Sequence, residues 1–305
     1  MIKRTIEVSR EPAHLTVRQE QLLLQHGEET VGSVPCEDIG VVVVDQPRTT
    51  YSHAALTGLA RSDAVLIVCG NDHLPAAILL PLANHSQVVW RVAEQVAVGK
   101  PLRKQLWRQI VLAKVRAQAA NLPENCPARH KIIELSRRVR SGDPANVEAQ
   151  AARVYWQNWL PEETFHRNID APGANALLNY GYAIIRAAMA RALVSAGFFP
   201  ALGLFHCNRS NAFCLADDLM EPLRPLVDRR VRDLHWQGHL DLKPETKAGL
   251  LGLLADPVWL GHERGPLMVN VHRMVASLVR CYQGQANRLE IPRACSSADT
   301  DACGS

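Results

Sequence analysis

The chain has 305 residues, 47% hydrophobic and 21% charged, with a formal net charge of +4. That length accommodates one large domain or two ordinary ones around a sizeable core, and the composition excludes a disordered or fibrous chain. The N-terminal residues Met1 to Glu7 contain no apolar signal core, and no apolar run is long enough to span a bilayer, so a cytoplasmic protein with no membrane contact is expected.

In chain order, the first eighty residues alternate and break often. Strands are expected at 2–8, 14–18, 21–25, 30–34, 39–45, 65–69 and 77–80, punctuated by Gly27, Gly32, Pro35, Gly40, Pro47, Gly70 and Pro75. One short helix is expected over 52–61, capped by Ser52. From residue 86 the period becomes helical, with helices expected at 86–98, 101–121, 127–140, 144–159, 173–196, 211–220, 223–235, 245–254 and 266–283. The stretch from Ala171 to Pro200 is the most apolar, but Asn175, Asn179, Arg186 and Arg191 interrupt it, which suits a buried central helix. The fold class is therefore α+β: a β-rich domain over 1–84, an all-α domain over 85–290 and a disordered tail over 291–305.

Between Lys100 and Arg140 eleven Lys or Arg residues face two acids, a balance that suits a polyanion or a solvated helix face. The eight cysteines contain no C-x-x-C pair and read as reduced. Glycine-rich phosphate loops are absent, so ATP and NAD chemistry have no support. Hydrolysis by Cys207 or Cys214 with a histidine rests on sequence proximity alone.

Three places carry chemistry. Asp143 and Pro144 mark a helix start as N-cap and first helical residue; four residues on, Glu148 lines up with Ala152, Tyr155 and Trp159 on an apolar face without a local partner. Such a carboxylate needs a cation, either a metal ion or a distant arginine in a structural pair. His206 follows an apolar run and opens a polar loop, reading either as a metal ligand or as a hydrogen-bonded half-buried histidine. Asp217, Asp218 and Glu221 repel one another unless a cation intervenes, and Pro222 places Glu221 at a helix end; a solvated acidic helix end is the other reading. Together they supply an oxygen-rich set with one imidazole, which suits Mg²⁺ or Mn²⁺ and phosphodiester chemistry.

The strings Gly142-Asp143-Pro144-Ala145-Asn146-Val147-Glu148-Ala149-Gln150-Ala151-Ala152, Leu177-Leu178-Asn179-Tyr180-Gly181-Tyr182-Ala183 and Asn211-Ala212-Phe213-Cys214-Leu215-Ala216-Asp217-Asp218-Leu219-Met220-Glu221-Pro222 resemble the CRISPR-associated endonuclease of spacer acquisition, and most closely its type II subfamily. The resemblance extends to about residue 285. It implies a prokaryotic, cytoplasmic DNA integrase whose β domain forms a homodimer and whose helical domain holds one divalent metal on Glu148, His206 and Glu221, with Asp218 as an accessory acid. It also implies a small dimeric partner protein of the same adaptation module, the type II effector nuclease as a further partner, and attack of DNA 3′-hydroxyls on the CRISPR repeat. Arg103, Lys104, Arg108, Arg137, Arg138 and Arg140 are the candidates for duplex backbone contact. Two alternatives stand beside it: a structure-selective nuclease repairing branched DNA, and a non-catalytic DNA-binding scaffold whose acids are structural.

Overall fold

A computed structural model describes residues 3–81, 85–160 and 165–295. Its first strands are β1 (Arg4–Val8), β2 (His14–Arg18), β3 (Gln21–His26), β4 (Glu29–Pro35), β5 (Ile39–Val44) and β6 (Thr50–Tyr51). Helix α1 (His53–Arg61) follows, then β7 (Val65–Cys69) and β8 (Pro75–Leu79). They form a sheet of order β1-β5-β7-β8, parallel except for its last pair, and a sheet of order β4-β3-β2-β6. Ser52 caps α1 as expected, its hydroxyl accepting the Ala55 N–H at 3.1 Å.

Strand β5, Ile-Gly-Val-Val-Val-Val, is buried along its whole length. Its two faces serve different cores: Val42 and Val44 belong to the cluster of Leu15, Leu59 and Leu66, whereas Val41 and Val43 belong to the helical core that includes Ile110 and Leu178. A continuous β-branched run is what a strand covered on both sides requires. The two halves therefore share a core through this strand. Lys247 and Asp45, both buried, form an ion pair that ties the end of β5 to the helical half.

The helical half comprises α2 (Val88–Ala97), α3 (Lys100–Ala120), α4 (Pro127–Arg137), α5 (Val147–Trp156), α6 (Ala174–Ser195), α7 (Cys214–Met220), α8 (Arg224–Trp236), α9 (Pro244–Leu251) and α10 (Leu267–Tyr282). The stretch expected to be a buried central helix is α6, and no helix among the described residues is long and apolar enough to cross a membrane. Gly181 lets α8 approach it closely, since a Cβ there would lie 2.4 Å from the Val227 side chain.

The structure departs from the sequence reading in several places, among them the unexpected strand β6 and helix α7, which starts at Cys214 rather than at residue 211. The helical half is not all-α: β9 (Pro257–Leu260), β10 (Glu263–Pro266) and β11 (Arg293–Ala294) form a small antiparallel sheet, which draws residues 293–294 out of the expected disordered tail. Residues 296–305 and the segment 82–84, where the domain boundary was expected, lie outside the described residues. The helix expected from residue 144 begins instead at Val147, because residues 143–146 make a turn with positive φ at Asp143 and Asn146. The N-cap position is thus Asn146 rather than Asp143, but the two Asp143 carboxylate oxygens still accept the N–H groups of Val147 and Glu148, each at 2.9 Å.

Between α6 and α8 lies a buried carboxyl. Asp228 is 1% exposed and accepts the Tyr182 hydroxyl. Burial pushes it from an ordinary 3.8 up to about 6, despite hydrogen bonds from Tyr182 and Tyr155 and the pull of Arg224 and Lys114. A carboxyl raised in this way adds stability below its unfolded value, and that contribution is lost as pH rises through about 6. Asp228→Asn cannot ionise, so its stability relative to wild type should rise between pH 4 and pH 7.5, by at most ~3 kcal/mol. Urea denaturation at both pH values measures this, and a difference that stays constant or shrinks would show that the Asp228 charge is not resisted by the fold.

Candidate functional site

Helix α3 buries an apolar stripe that includes Trp107, Ile110, Val111 and Val115. Lys114 sits on that stripe, only 8% exposed. Its ammonium donates to Glu148 Oε1 and to Glu221 Oε2. Glu148 arrives from the first turn of α5, where Asp143 fixes the backbone. Glu221 arrives from a 3₁₀ turn, Glu221–Leu223, between α7 and α8, where Pro222 interrupts the α-helical hydrogen bonding. Burial alone would lower the Lys114 pKa, but the carboxylates outweigh it and hold the ammonium charged above its usual value. Burial would likewise neutralise Glu221, yet Arg224, whose Nε donates to Oε1 at 2.8 Å, and Lys114 hold it at about 2. The Arg224 guanidinium also lies over the Tyr182 ring, 4.5 Å from its centre.

The three neighbouring acids do not form one cluster. Asp217 accepts Arg186 Nε and Asn211 Nδ2, both at 2.7 Å. Asp218, with no exposed surface, accepts the backbone N–H groups of Leu204 at 2.6 Å, Phe205 at 2.9 Å and His206 at 3.2 Å. It also accepts His206 Nδ1 at 2.5 Å, a hydrogen bond that raises the imidazole pKa above its ordinary value against the opposing effect of burial. Both Asp218 oxygens are thus engaged, and the His206 ring is held through Nδ1. Gly203 is required here, since a Cβ would fall 2.3 Å from the His206 carbonyl oxygen and 2.9 Å from Asp218.

Glu148 and Glu221 therefore converge on one cation, the Lys114 ammonium, while His206 stands outside that pair. Among the described residues no three His, Cys, Asp or Glu side chains come close enough together to hold a metal ion. The donor chemistry nevertheless fits a hard divalent cation: carboxylate oxygens already gathered around positive charge, and an imidazole whose Nδ1 is committed to a carboxylate.

The expected DNA-contact residues divide. Arg103 donates to the carbonyls of Gly203 at 2.8 Å and Leu204 at 3.2 Å, and so braces the His206 loop. Arg108 Nε donates to the Val139 carbonyl at 3.0 Å, though the residue remains exposed. Lys104, Arg137, Arg138 and Arg140 are exposed, and a 2.9 Å bond from Gly142 N–H to the Lys104 carbonyl joins the 139–142 loop to α3. The thiol reading loses its footing at Cys214, which is buried, with its pKa raised by that burial and its Sγ directed at the carbonyls of Asn208 and Asn211; Cys207 is exposed. Ser210 donates from its backbone N–H and its hydroxyl to Asn208 Oδ1 within the same loop.

The cation that the isolated Glu148 demanded is a lysine rather than an arginine. Lys114 carries the same signal as Glu148, a charge at apolar helical spacing (Ile110 and Val111 lie four and three residues before it), although its segment is rich in bases.

The family described as CRISPR associated protein Cas1 matches residues 6–252. The CRISPR-associated endonuclease Cas1 of Neisseria meningitidis serogroup C is 39% identical over 86% of this chain and 87% of its own length. A Cas1 endonuclease of Pyrobaculum aerophilum is 27% identical over 85% of this chain and 92% of its own. Among solved structures, a casposase bound to integration product superposes with a TM-score of 0.77 at 20% identity, covering 95% of this chain and 93% of that one. A Cas6-RT-Cas1–Cas2 complex superposes with a TM-score of 0.78 at 17% identity, covering 95% of this chain and 36% of that one. By the extent of the family match and the identity to the Neisseria protein, this chain belongs to the CRISPR associated protein Cas1 family.

Proposed function

We propose that the protein is a divalent-metal-dependent DNA integrase of CRISPR adaptation, joining 3′-hydroxyl ends of protospacer DNA to phosphodiesters of the CRISPR repeat. The observation that carries this reading is the convergence of Glu148 and Glu221 on one buried cation, beside a histidine fixed by Asp218. Family membership supports the class of activity, and the casposase relative is a protein seen with an integration product.

Mg²⁺ or Mn²⁺, held by Glu148, Glu221 and His206 Nε2, would supply Lewis-acid polarisation of a phosphoryl oxygen. Glu221 is the direct ligand in this reading, because the oxygens of Asp218 are occupied by three backbone N–H groups and His206. Asp218 acts as a positioning residue, fixing the ring and leaving Nε2 as the free nitrogen. Arg224 keeps Glu221 ionised and so able to ligate. Lys104, Arg137, Arg138 and Arg140 would grip the sugar-phosphate backbone, with a salt dependence that follows from counterion release. Because strand transfer exchanges one phosphodiester for another, the reaction needs no external energy, and water replacing the 3′-hydroxyl gives nuclease activity. The assembly would be a homodimer joined by a small dimeric partner of the adaptation module, in keeping with the Cas1–Cas2 complex among the structural relatives, with the type II effector nuclease as a further partner.

The direct test mixes protein, partner, a protospacer duplex with free 3′-hydroxyls and a supercoiled plasmid bearing a repeat. Joined product should require Mg²⁺ or Mn²⁺, vanish in EDTA and vanish in Glu148→Ala; joining unaffected by EDTA or by the substitution would refute the metal site. Lys114→Met isolates the carboxylate pair from catalysis. Without metal it should lose ~3–5 kcal/mol of stability through unneutralised buried charge. Added Mn²⁺ should then raise its melting temperature more than it raises that of wild type. Equal rises in both would mean that Lys114 and the metal do not compete for the same carboxylates.

A further inference from the structure

Next to His206 the chain exposes an aromatic ring. Phe205 is 50% exposed, yet it is held rigidly. Its ring lies flat on Trp107, with centroids 4.3 Å apart and an interplanar angle of 1°, and Trp107 itself is only 2% exposed. The Phe205 N–H is fixed by Asp218 at 2.9 Å, and Arg103 holds the two preceding carbonyls. The His206 ring stands edge-on to Phe205, with centroids 5.5 Å apart. A pocket of about 230 Å³ opens at this ring, lined also by Lys100, Arg103, Lys104 and Leu204, and both lysines are exposed. An apolar ring left half in water is ordinary by itself. One that is stacked on a buried indole, backbone-fixed and bordered by cations has the composition of a nucleotide subsite: a π-face for a base and ammonium groups for phosphates.

We propose that Phe205 is the stacking platform for one unpaired nucleobase of the DNA strand adjoining the reacting phosphate, with Lys100 and Lys104 contacting the phosphates that flank it. The proposal rests on the reading of the site as a DNA-processing centre and specifies how the strand enters it. The base proposed is unpaired, since a paired base inside a duplex is already stacked on both faces, and a terminal pair as occupant would make blunt-duplex binding depend on Phe205. Stacking on a phenyl ring accepts any base, so the subsite sets the position of the strand without reading its sequence. The strand held there is thereby splayed from its duplex beside His206.

The test uses the full-length protein in EDTA, so that no reaction occurs, with a duplex carrying a short single-stranded 3′ extension in which 2-aminopurine replaces one base at successive positions. Fluorescence should be quenched at one position near the strand end in wild type, restored in Phe205→Ala and quenched again in Phe205→Trp. Phe205→Ala should also weaken binding of the extended DNA about 10-fold, with binding of a blunt duplex unchanged. Quenching that persists in Phe205→Ala, or an equal loss for blunt and extended DNA with an unaltered melting temperature, overturns the subsite. Failure of wild type to bind either DNA would overturn the DNA-processing reading itself, and with it this proposal.

Discussion

The site depends on one buried ammonium. Lys114 lies on the apolar stripe of a long helix, and two carboxylates from elements 34 and 107 residues away close on it. Removing any of the three leaves uncompensated charge in the core, which is costlier than never having buried it. This constraint fixes the relative placement of α3, α5 and the turn between α7 and α8. Arg224 and the Tyr182–Asp228 pair extend the same electrostatic balance down the wall of α8. A divalent cation has the charge to take over what the ammonium does, which is what the proposed metal site requires.

A second constraint is the loop carrying His206. Its backbone would be costly to bury unsatisfied, and Asp218 solves this by accepting three consecutive N–H groups together with the imidazole. Arg103 engages the carbonyls of the same loop from the other side. Donors and acceptors are therefore both met by side chains from elements outside the loop, α7 and α3. That gives His206 and Phe205 fixed positions without regular secondary structure, and positional precision is what a metal ligand and a stacking surface each need.

Much of this was legible in the residues, for physical reasons that differ from place to place. Glu148 stood out because a lone carboxylate at apolar helical spacing demands a cation, and the structure supplies one. The apolar length of α6 marked a buried helix correctly, and the strand expected at 39–45 is present as β5. Lys114 was overlooked because a lysine among many bases looks solvated until its spacing against Ile110 and Val111 is counted. Arg103 was assigned to DNA because nothing local reveals that its partners are carbonyls about a hundred residues away. The small sheet of β9, β10 and β11 escaped because strands of two to four residues carry too little alternation to register a period. Likewise, three acids within five residues looked like one cluster, whereas the helix sends Asp217, Asp218 and Glu221 to separate partners.

The central claim is that the cation position between Glu148 and Glu221 is the metal position. Crystals grown with Mn²⁺, with anomalous scattering recorded near the manganese edge, test it most directly. A single strong peak is expected within bonding distance of Glu148, Glu221 and His206 Nε2, with the Lys114 ammonium displaced and Asp218 still bound to Nδ1. A fully occupied Lys114 bridge with manganese elsewhere, or manganese bound to Asp218 instead of Glu221, would contradict it.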